Sequence, residues 1–203
     1  PDSFFDGGLF GAGEDPRALF AHAEALLDGG ADWLDIGGES TRPGAGPVDA
    51  EQEWRRVAPI IHEFGRSVVV CVDTSKAHVA ARALAAGAQI INDVSGLRDP
   101  EMPAVTAGAA ATVVMHGRGT PKTMDGLTDY DDLTLEVVTY LVARARLARS
   151  PIVCVDPGVG FAKTTAQSLA LLRHTDAFVA TGFPVYIGAS RKRFIGHTLE
   201  LEH

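Results

Sequence analysis

Short apolar runs alternate along the chain with longer amphipathic stretches. The apolar runs are rich in β-branched residues and are too short for helices, which is typical of buried strands. They cover residues 33–36, 68–72, 89–91, 111–115, 152–155 and 184–187. The stretches between them, at roughly 16–28, 49–64, 77–86, 100–108, 130–149 and 165–180, have helical periodicity, which is clearest in the apolar stripe of 17–27. Repeated strand-then-helix order, with strands apolar on both faces, predicts a parallel sheet covered by helices.

Polar residues follow the strand candidates, and their positions distinguish between two parallel architectures. Five runs lead directly into polar groups, at 35–39, 73–75, 92–93, 116 and 156, and the sixth is followed by the polar segment 190–192. An open doubly wound sheet gathers its ligand groups near one switch point, whereas a closed barrel collects them from the carboxyl ends of many strands. We therefore predict an α/β fold, a (β/α)8 TIM barrel, as one domain over residues 1–203.

The number of strands falls short of a complete barrel. Such a barrel has eight strands and about 250 residues, whereas only six strand candidates are present in 203 residues. The chain begins with a loop that leads into a helix, and it finishes where another helix begins at Arg193. We therefore expect the first and eighth strands, which are neighbours in a closed barrel, to lie outside the sequence. Residues 201–203 are either native or the start of a purification tag.

Composition restricts the classes of protein without identifying one. The chain is 46% hydrophobic and 22% charged, as in ordinary globular proteins, and no apolar run approaches the ~20 residues of a membrane span. No export leader is visible, so we expect a cytoplasmic protein. The net charge of −8 disfavours a nucleic-acid partner, because such binding depends on clustered cations. Cys71 and Cys154 lie in apolar runs and are expected to be reduced core residues.

Carboxylate and amide side chains at the ends of different strands predict a binding site. Asp73, Asp156 and the neighbours Asn92 and Asp93 would all face one mouth of the barrel, and Lys192 could add a cationic donor. Together these groups match the amino-pyrimidinone edge of a flat heterocycle, which needs acceptors for its NH groups and a donor for its carbonyl. The alternative is that each residue only caps a strand or helix. Capping is a poor explanation for all of these residues together, because they lie on different strands.

Two further loops carry cationic residues. Arg42 lies in a glycine-containing loop, where a guanidinium suits an anionic group. Residues 190–193, with the sequence Ser-Arg-Lys-Arg, lead into a predicted helix whose first N–H groups favour phosphate. For both loops the alternative is an ordinary solvated surface. The sequence around His116 has no second histidine or cysteine at ligand spacing, which argues against a structural zinc site.

Six motifs resemble those of the dihydropteroate synthases, in the same order and context. They are residues 1–4 (PDSF), 30–44 (GADWLDIGGESTRPG), 72–76 (VDTSK), 91–93 (IND), 156–163 (DPGVGFAK) and 188–192 (GASRK). The resemblance covers essentially the whole chain and implies a barrel enzyme of folate biosynthesis. That family displaces pyrophosphate from 6-hydroxymethyl-7,8-dihydropterin pyrophosphate with p-aminobenzoate, at a site that sulfonamide drugs also occupy.

The resemblance also implies roles for individual residues. The pterin would be held by Asp73, Asn92, Met115, Asp156 and Lys192, of which Asp73, Asp156 and Lys192 would act in catalysis. p-Aminobenzoate or a sulfonamide would contact Phe4, Thr41, Arg42, Pro43, Phe161, Ser190 and Lys192, and pyrophosphate would contact Thr41, Arg42 and Arg191. Mg²⁺ would bind with the pyrophosphate, and the metal-binding Asn of the family would lie just before Pro1. The family further implies a homodimer.

The sequence departs from the family pattern at both ends. The expected Asn before Pro1 and an Arg-x-His pair on the last strand are not among the 203 residues, and the segment at 149–151 is tighter than the family pattern. Two alternatives therefore stay open: a pterin-dependent methyltransferase domain, and a pterin-binding fragment without turnover. The segments 41–43 and 190–192 argue against the methyltransferase, because methyl transfer needs no site for p-aminobenzoate.

Overall fold

Five parallel strands form one sheet in the described part of the chain. The structure is a computed structural model and describes residues 16–190 and 192–200. The strands are β1 (Trp33–Gly37), β2 (Val69–Asp73), β3 (Ile90–Asp93), β4 (Ala111–Met115) and β5 (Ile152–Asp156). They lie side by side in chain order, and each neighbouring pair is parallel.

The sixth strand candidate, at 184–187, is reduced to a single parallel bridge between Val155 and Val185. Two backbone hydrogen bonds place it beside β5: Val155 N donates to Pro184 O and Tyr186 N donates to Val155 O, both at 2.9 Å. The hydroxyl of Tyr186 also donates to Asp35 Oδ2 on β1, at 3.0 Å. The segment 184–187, beside β5, is therefore in contact with β1 at the opposite side of the sheet. Such a contact requires the sheet to curve.

The strand order decides between the two architectures that the sequence suggested. A doubly wound sheet reverses its order at a switch point, whereas β1 to β5 follow one another without a reversal. This arrangement is the arc of a (β/α) barrel.

Helices follow the strands, with some bounds that differ from the sequence prediction. They are α1 (Pro16–Asp28), α2 (Ala50–Phe64), α3 (Ala77–Ala86), α4 (Met102–Val105), α5 (Leu133–Ala145), α6 (Thr165–Arg173), α7 (Thr175–Val179) and α8 (Arg193–Leu199). The stretch 165–180 is divided at His174, whose ψ of 32° leaves the helical region. The stretch 130–149 begins later than predicted because Asp132 caps α5, accepting from Leu135 N at 3.0 Å. None of these helices, within the described ranges, is long and apolar enough to cross a membrane.

The hydrophobic core lies between the sheet and the helices. One buried cluster joins alternate residues of β1–β4 to side chains of α1–α4; its strand members are Leu34, Val70, Val72, Ile91 and Val114. A second cluster joins Val155 of β5 to α5, α6, α7 and α8. Because successive strand residues face opposite sides, Asp73, Asn92 and Asp156 face the interior of the arc. Helix packing thus decides which strand residues can form a site.

The two cysteines are free thiols, in β2 and β5. Cys71 is buried and Cys154 is half-buried. Burial raises the pKa of both thiols, so neither has the depressed pKa of a reactive cysteine. The prediction of a small buried core residue is therefore confirmed for Cys71.

Candidate active site

Four of the predicted site residues lie at the carboxyl ends of neighbouring strands. Asp73 ends β2 and is in register with Asn92 of β3, while Met115 ends β4 in register with Asp156 at the end of β5. Asn92, Met115 and Asp156 are buried, and Asp73 is half-buried. The structure therefore brings these side chains to one edge of the barrel, although they are distributed over 84 positions of sequence, from 73 to 156.

Lys192, in the loop that leads into α8, adds a cation to the same edge. Its Nζ donates to Val159 O at 2.7 Å and lies 4.6 Å from the centre of the Phe161 ring. Burial lowers the pKa of Lys192, and the carboxylates of Asp156 and Asp73 oppose that shift. The ammonium is thus held by the loop after β5 within the field of two carboxylates.

Burial also changes the acidity of those carboxyl groups. It raises the pKa of Asp156, with Lys192 opposing the shift, and it raises the pKa of Asp73 well above its ordinary value. Charged carboxylates in such a site are costly unless donors or cations meet them. One donor is present, because Gly158 N donates to Asp156 Oδ1 at 2.7 Å. A ligand with N–H groups or positive charge would satisfy the acceptors that are left.

Asn92 has an acceptor that no described residue satisfies. The residue is 6% exposed, and its Oδ1 is buried without a hydrogen-bond partner in the described part of the chain. An unpaired buried carbonyl costs about 1–3 kcal/mol. A ligand N–H at the strand ends would recover that cost, so the unpaired Asn92 Oδ1 indicates a binding site.

Asp93 does not share this edge, so that part of the sequence prediction is wrong. Strand alternation turns Asp93 to the side opposite Asn92. Its two carboxylate oxygens accept from Ser95 N at 2.7 Å and from Leu97 N at 2.9 Å. Asp93 therefore caps the loop after β3, which is the capping alternative that the sequence left open.

The loop after β1 is tied to two neighbouring loops. Lys76, in the loop after β2, forms an ion pair with Glu39. Gly44 N donates to Pro121 O at 2.9 Å, which joins the β1 loop to the loop after β4. These contacts hold the segment 41–43 near the strand ends.

Two cavities lie at this end of the barrel. The larger, about 470 Å³, is an open cavity bordered by the loops after β1 to β5 and is lined by Thr41, Asp73 and Phe161 among others. The smaller, about 230 Å³, lies where α6 and α8 begin and is lined by Phe161, Lys163 and Lys192 among others. Phe161 contributes to both cavities and therefore connects the carboxylate edge with the start of α8.

The remaining predicted residues are less closely associated with these cavities. Arg42 and Pro43 are half-buried beside Thr41, but neither lines the two cavities. Ser190 is exposed, two residues before Lys192. Phe4 and Arg191 lie outside the described residues.

The structure also reveals a pair that the sequence did not indicate. Lys163 Nζ lies 2.9 Å from His116 Nδ1, although the two residues are 47 positions apart. Both are buried. A lysine and a histidine so far apart in the sequence give no sign that they will pair. Only the fold brings the loops after β4 and β5 together. Among the described residues, no group of three or more His, Cys, Asp or Glu side chains is placed to hold a metal ion.

Comparison with known proteins identifies relatives of this chain. The sequence matches the family model described as "pterin binding enzyme" over residues 1–203. It is 44% identical to the dihydropteroate synthase of Synechocystis sp., covering 98% of this chain and 71% of that protein. The structure is similar to the Thermus thermophilus dihydropteroate synthase in complex with 4-aminobenzoate, with a TM-score of 0.84 and 43% identity, covering 90% of this chain and 72% of that one. The Yersinia pestis dihydropteroate synthase in a sulfonamide drug complex has a TM-score of 0.84 at 36% identity, covering 99% of this chain and 75% of that one.

The sequence matches one family over its whole length, and the strands have the order of a barrel. The protein is therefore a pterin-binding barrel enzyme. The chain is 36–44% identical to dihydropteroate synthases and covers more than two thirds of the length of each. These relatives identify the family within that class. The chain belongs to the dihydropteroate synthase family. The barrel prediction and the resemblance that the motifs carried are thereby confirmed.

Proposed function

We propose that the chain displaces pyrophosphate from 6-hydroxymethyl-7,8-dihydropterin pyrophosphate with p-aminobenzoate, giving 7,8-dihydropteroate. The observation that carries this proposal is the meeting of Asp73, Asn92, Asp156 and Lys192 at one end of the barrel. Solved relatives support it, because dihydropteroate synthases of this fold are in complex with 4-aminobenzoate, 6HMPPP or a sulfonamide drug.

The pterin is bound through its amino-pyrimidinone edge. Asp156 keeps Oδ2 for ring N–H groups, since a backbone N–H occupies its Oδ1. Asn92 offers its unpaired Oδ1, and Asp73 adds a second carboxylate. Lys192 donates to the ring acceptors, and the flat face of the ring packs on Met115, which is buried at the end of β4.

p-Aminobenzoate, or a sulfonamide in its place, is held beside the pterin by residues from several loops. Phe161 provides an aromatic wall next to the Lys192 ammonium. Ser190 contributes a hydroxyl just before α8, and Thr41, Arg42 and Pro43 approach from the β1 loop. Phe4, outside the described residues, belongs to the proposed set as well.

The leaving pyrophosphate is met by cationic and hydroxyl groups. Thr41 and Arg42 of the β1 loop form one part of this subsite, and Arg191, outside the described residues, forms another. Mg²⁺ belongs to the proposal as an ion that accompanies the diphosphate and neutralises its charge. Within residues 16–190 and 192–200, no three-ligand cluster of His, Cys, Asp or Glu is present for a metal.

The chemistry depends on fixed charge rather than on a base of matched pKa. The bond between the pterin methylene carbon and the diphosphate oxygen breaks, and its electron pair leaves with the oxygen. Positive charge then develops on the methylene and the ring, where the carboxylates of Asp73 and Asp156 stabilise it. The amine nitrogen attacks the methylene carbon with its lone pair and afterwards loses one proton to solvent.

An assay of pyrophosphate release tests this function. The pterin pyrophosphate is supplied with and without p-aminobenzoate, and methyl transfer to cobalamin is measured on the same preparation. Release that depends on the amine, with formation of dihydropteroate, supports the proposal. Methyl transfer, or tight pterin binding without turnover, would establish one of the two alternative functions instead.

The proposal extends to a homodimer in the cytoplasm. Val179 and Leu199, in α7 and α8, are 59% and 61% exposed and are apolar groups that a dimer could cover. Light scattering over a range of concentrations measures the oligomeric state, and a monomer under assay conditions would contradict the dimer.

A further inference from the structure

Lys163 is a buried lysine in the loop that follows β5. It is 8% exposed, its Nζ lies 2.9 Å from His116 Nδ1, and it donates to Phe161 O at 2.9 Å. Burial lowers the pKa of Lys163 to about 7, and the Asp156 carboxylate opposes that shift. Burying an amine is costly unless hydrogen bonds compensate. These two hydrogen bonds therefore retain Lys163 in the interior, and they join the β5 loop to the end of β4.

His116 is the histidine partner of Lys163 in this contact. The residue is 3% exposed, and its ring packs edge-on against Tyr140 with the ring centres 4.9 Å apart. Burial, and then the charges of Lys163 and Arg118, lowers the pKa of His116 to about 3. The imidazole is therefore neutral at pH 7, so one of its two ring nitrogens is a donor and the other is an acceptor.

The loop 157–163 has a backbone that requires such support. Gly158 has a φ of 67°, which glycine tolerates, and Ala162 has a φ of 49°. The conformation of Ala162 is unfavourable because alanine has a Cβ. Gly158 packs so closely on the end of β4 that an added Cβ would lie 1.9 Å from His116 O. Tyr130 also holds the loop, by donating to Ala162 O at 3.0 Å.

The same loop carries groups that meet the substrates in the proposed function. Val159 O accepts from Lys192 Nζ at 2.7 Å, and the Phe161 ring faces that ammonium at 4.6 Å. A movement of the loop away from β4 would displace Phe161 together with its contact to Lys192. We propose that Lys163 is a positioning residue for p-aminobenzoate, which acts by fixing Phe161 rather than by touching the substrate. This inference rests on the proposed function.

Lys163→Met tests the inference, because methionine has a similar length and removes the amine that makes both hydrogen bonds. We expect the KM for p-aminobenzoate to rise about tenfold, the size of effect that the loss of two hydrogen bonds has. The KM for the pterin pyrophosphate should change by less than about threefold. His116→Phe should reproduce this selective effect, and the double variant should be no worse than either single variant. Arg173→Met, at the exposed end of α6, is the control and should change neither constant.

Three results would overturn the inference. They are equal increases in both KM values for a variant whose thermal melting is normal, no increase in either, or effects of the two substitutions that add. If Lys163→Met does not fold, Lys163→Gln is compared with His116→Phe in the same way. Failure of the proposed function is distinguishable, because the unsubstituted protein would then show no turnover. In that case calorimetric binding of p-aminobenzoate, with pyrophosphate present, makes the same comparison between variants.

Discussion

Replacing Asp156 by asparagine isolates the negative charge at the end of β5 with almost no change of shape. Asp156 is 3% exposed, and its Oδ1 accepts from Gly158 N at 2.7 Å, a bond that an amide oxygen can keep. The substitution removes the charge that supports the Lys192 ammonium and an acceptor for the pterin N–H groups. Hydrogen bonds to charged groups contribute about 1.5–3 kcal/mol, which corresponds to about 10- to 100-fold in affinity.

Titration calorimetry of Asp156→Asn checks this magnitude. The pterin should bind about 10- to 100-fold more weakly. p-Aminobenzoate, measured with pyrophosphate present, should lose less than about threefold. Asp176→Asn, which removes an exposed carboxylate from α7, is the control and should bind both ligands normally. Equal losses of the two ligands in Asp156→Asn would refute the assignment of Asp156 to the pterin.

The remaining predictions concern Lys192, the sulfonamide site and His116. Lys192→Ala should weaken the binding of both substrates, because the ammonium lies 4.6 Å from the centre of the Phe161 ring and within the field of two carboxylates. An unchanged Kd for either substrate would contradict that placement. A sulfonamide should inhibit competitively with p-aminobenzoate in steady-state kinetics, and a noncompetitive pattern would count against a shared pocket. Burial lowers the pKa of His116 from 6.5 to about 3, so between these values the unfolded state binds a proton that the folded state does not. Stability should therefore fall as the pH drops through this window, and His116→Phe should make the fall in Tm shallower. An identical slope in the variant would show that His116 is not the group responsible.

The elements of the fold follow closely from hydrophobic patterning where that pattern is strong. The runs at 111–115 and 152–155 became β4 and β5 because apolar β-branched residues suit strands that are covered by helices. The run at 184–187 has similar composition but forms only one bridge, since within the described residues it pairs with β5 alone. The helix break at His174 is not marked by a proline or glycine in the sequence. It depends on how α6 and α7 pack in the core.

The candidate site was predictable in outline because polar residues at the ends of parallel strands share one edge. Asp73, Asn92 and Asp156 illustrate this, as they face the interior at the carboxyl ends of three strands. Asp93 shows the limit: one position along the strand, it turns outwards and caps a loop. Which of two neighbouring residues faces inwards is set by the face of the strand that packs on the helices.

By itself the sequence determined the order of strands and helices, the edge at which polar groups gather, and the family, because these depend on local residue patterns and on motifs. Only the tertiary structure decided which side chains meet. Lys163 and His116 are 47 positions apart, and Tyr186 and Asp35 are 151 apart. Contacts over such separations depend on barrel curvature and on the paths of the loops, which arise from the packing of the whole domain rather than from any local pattern of residues.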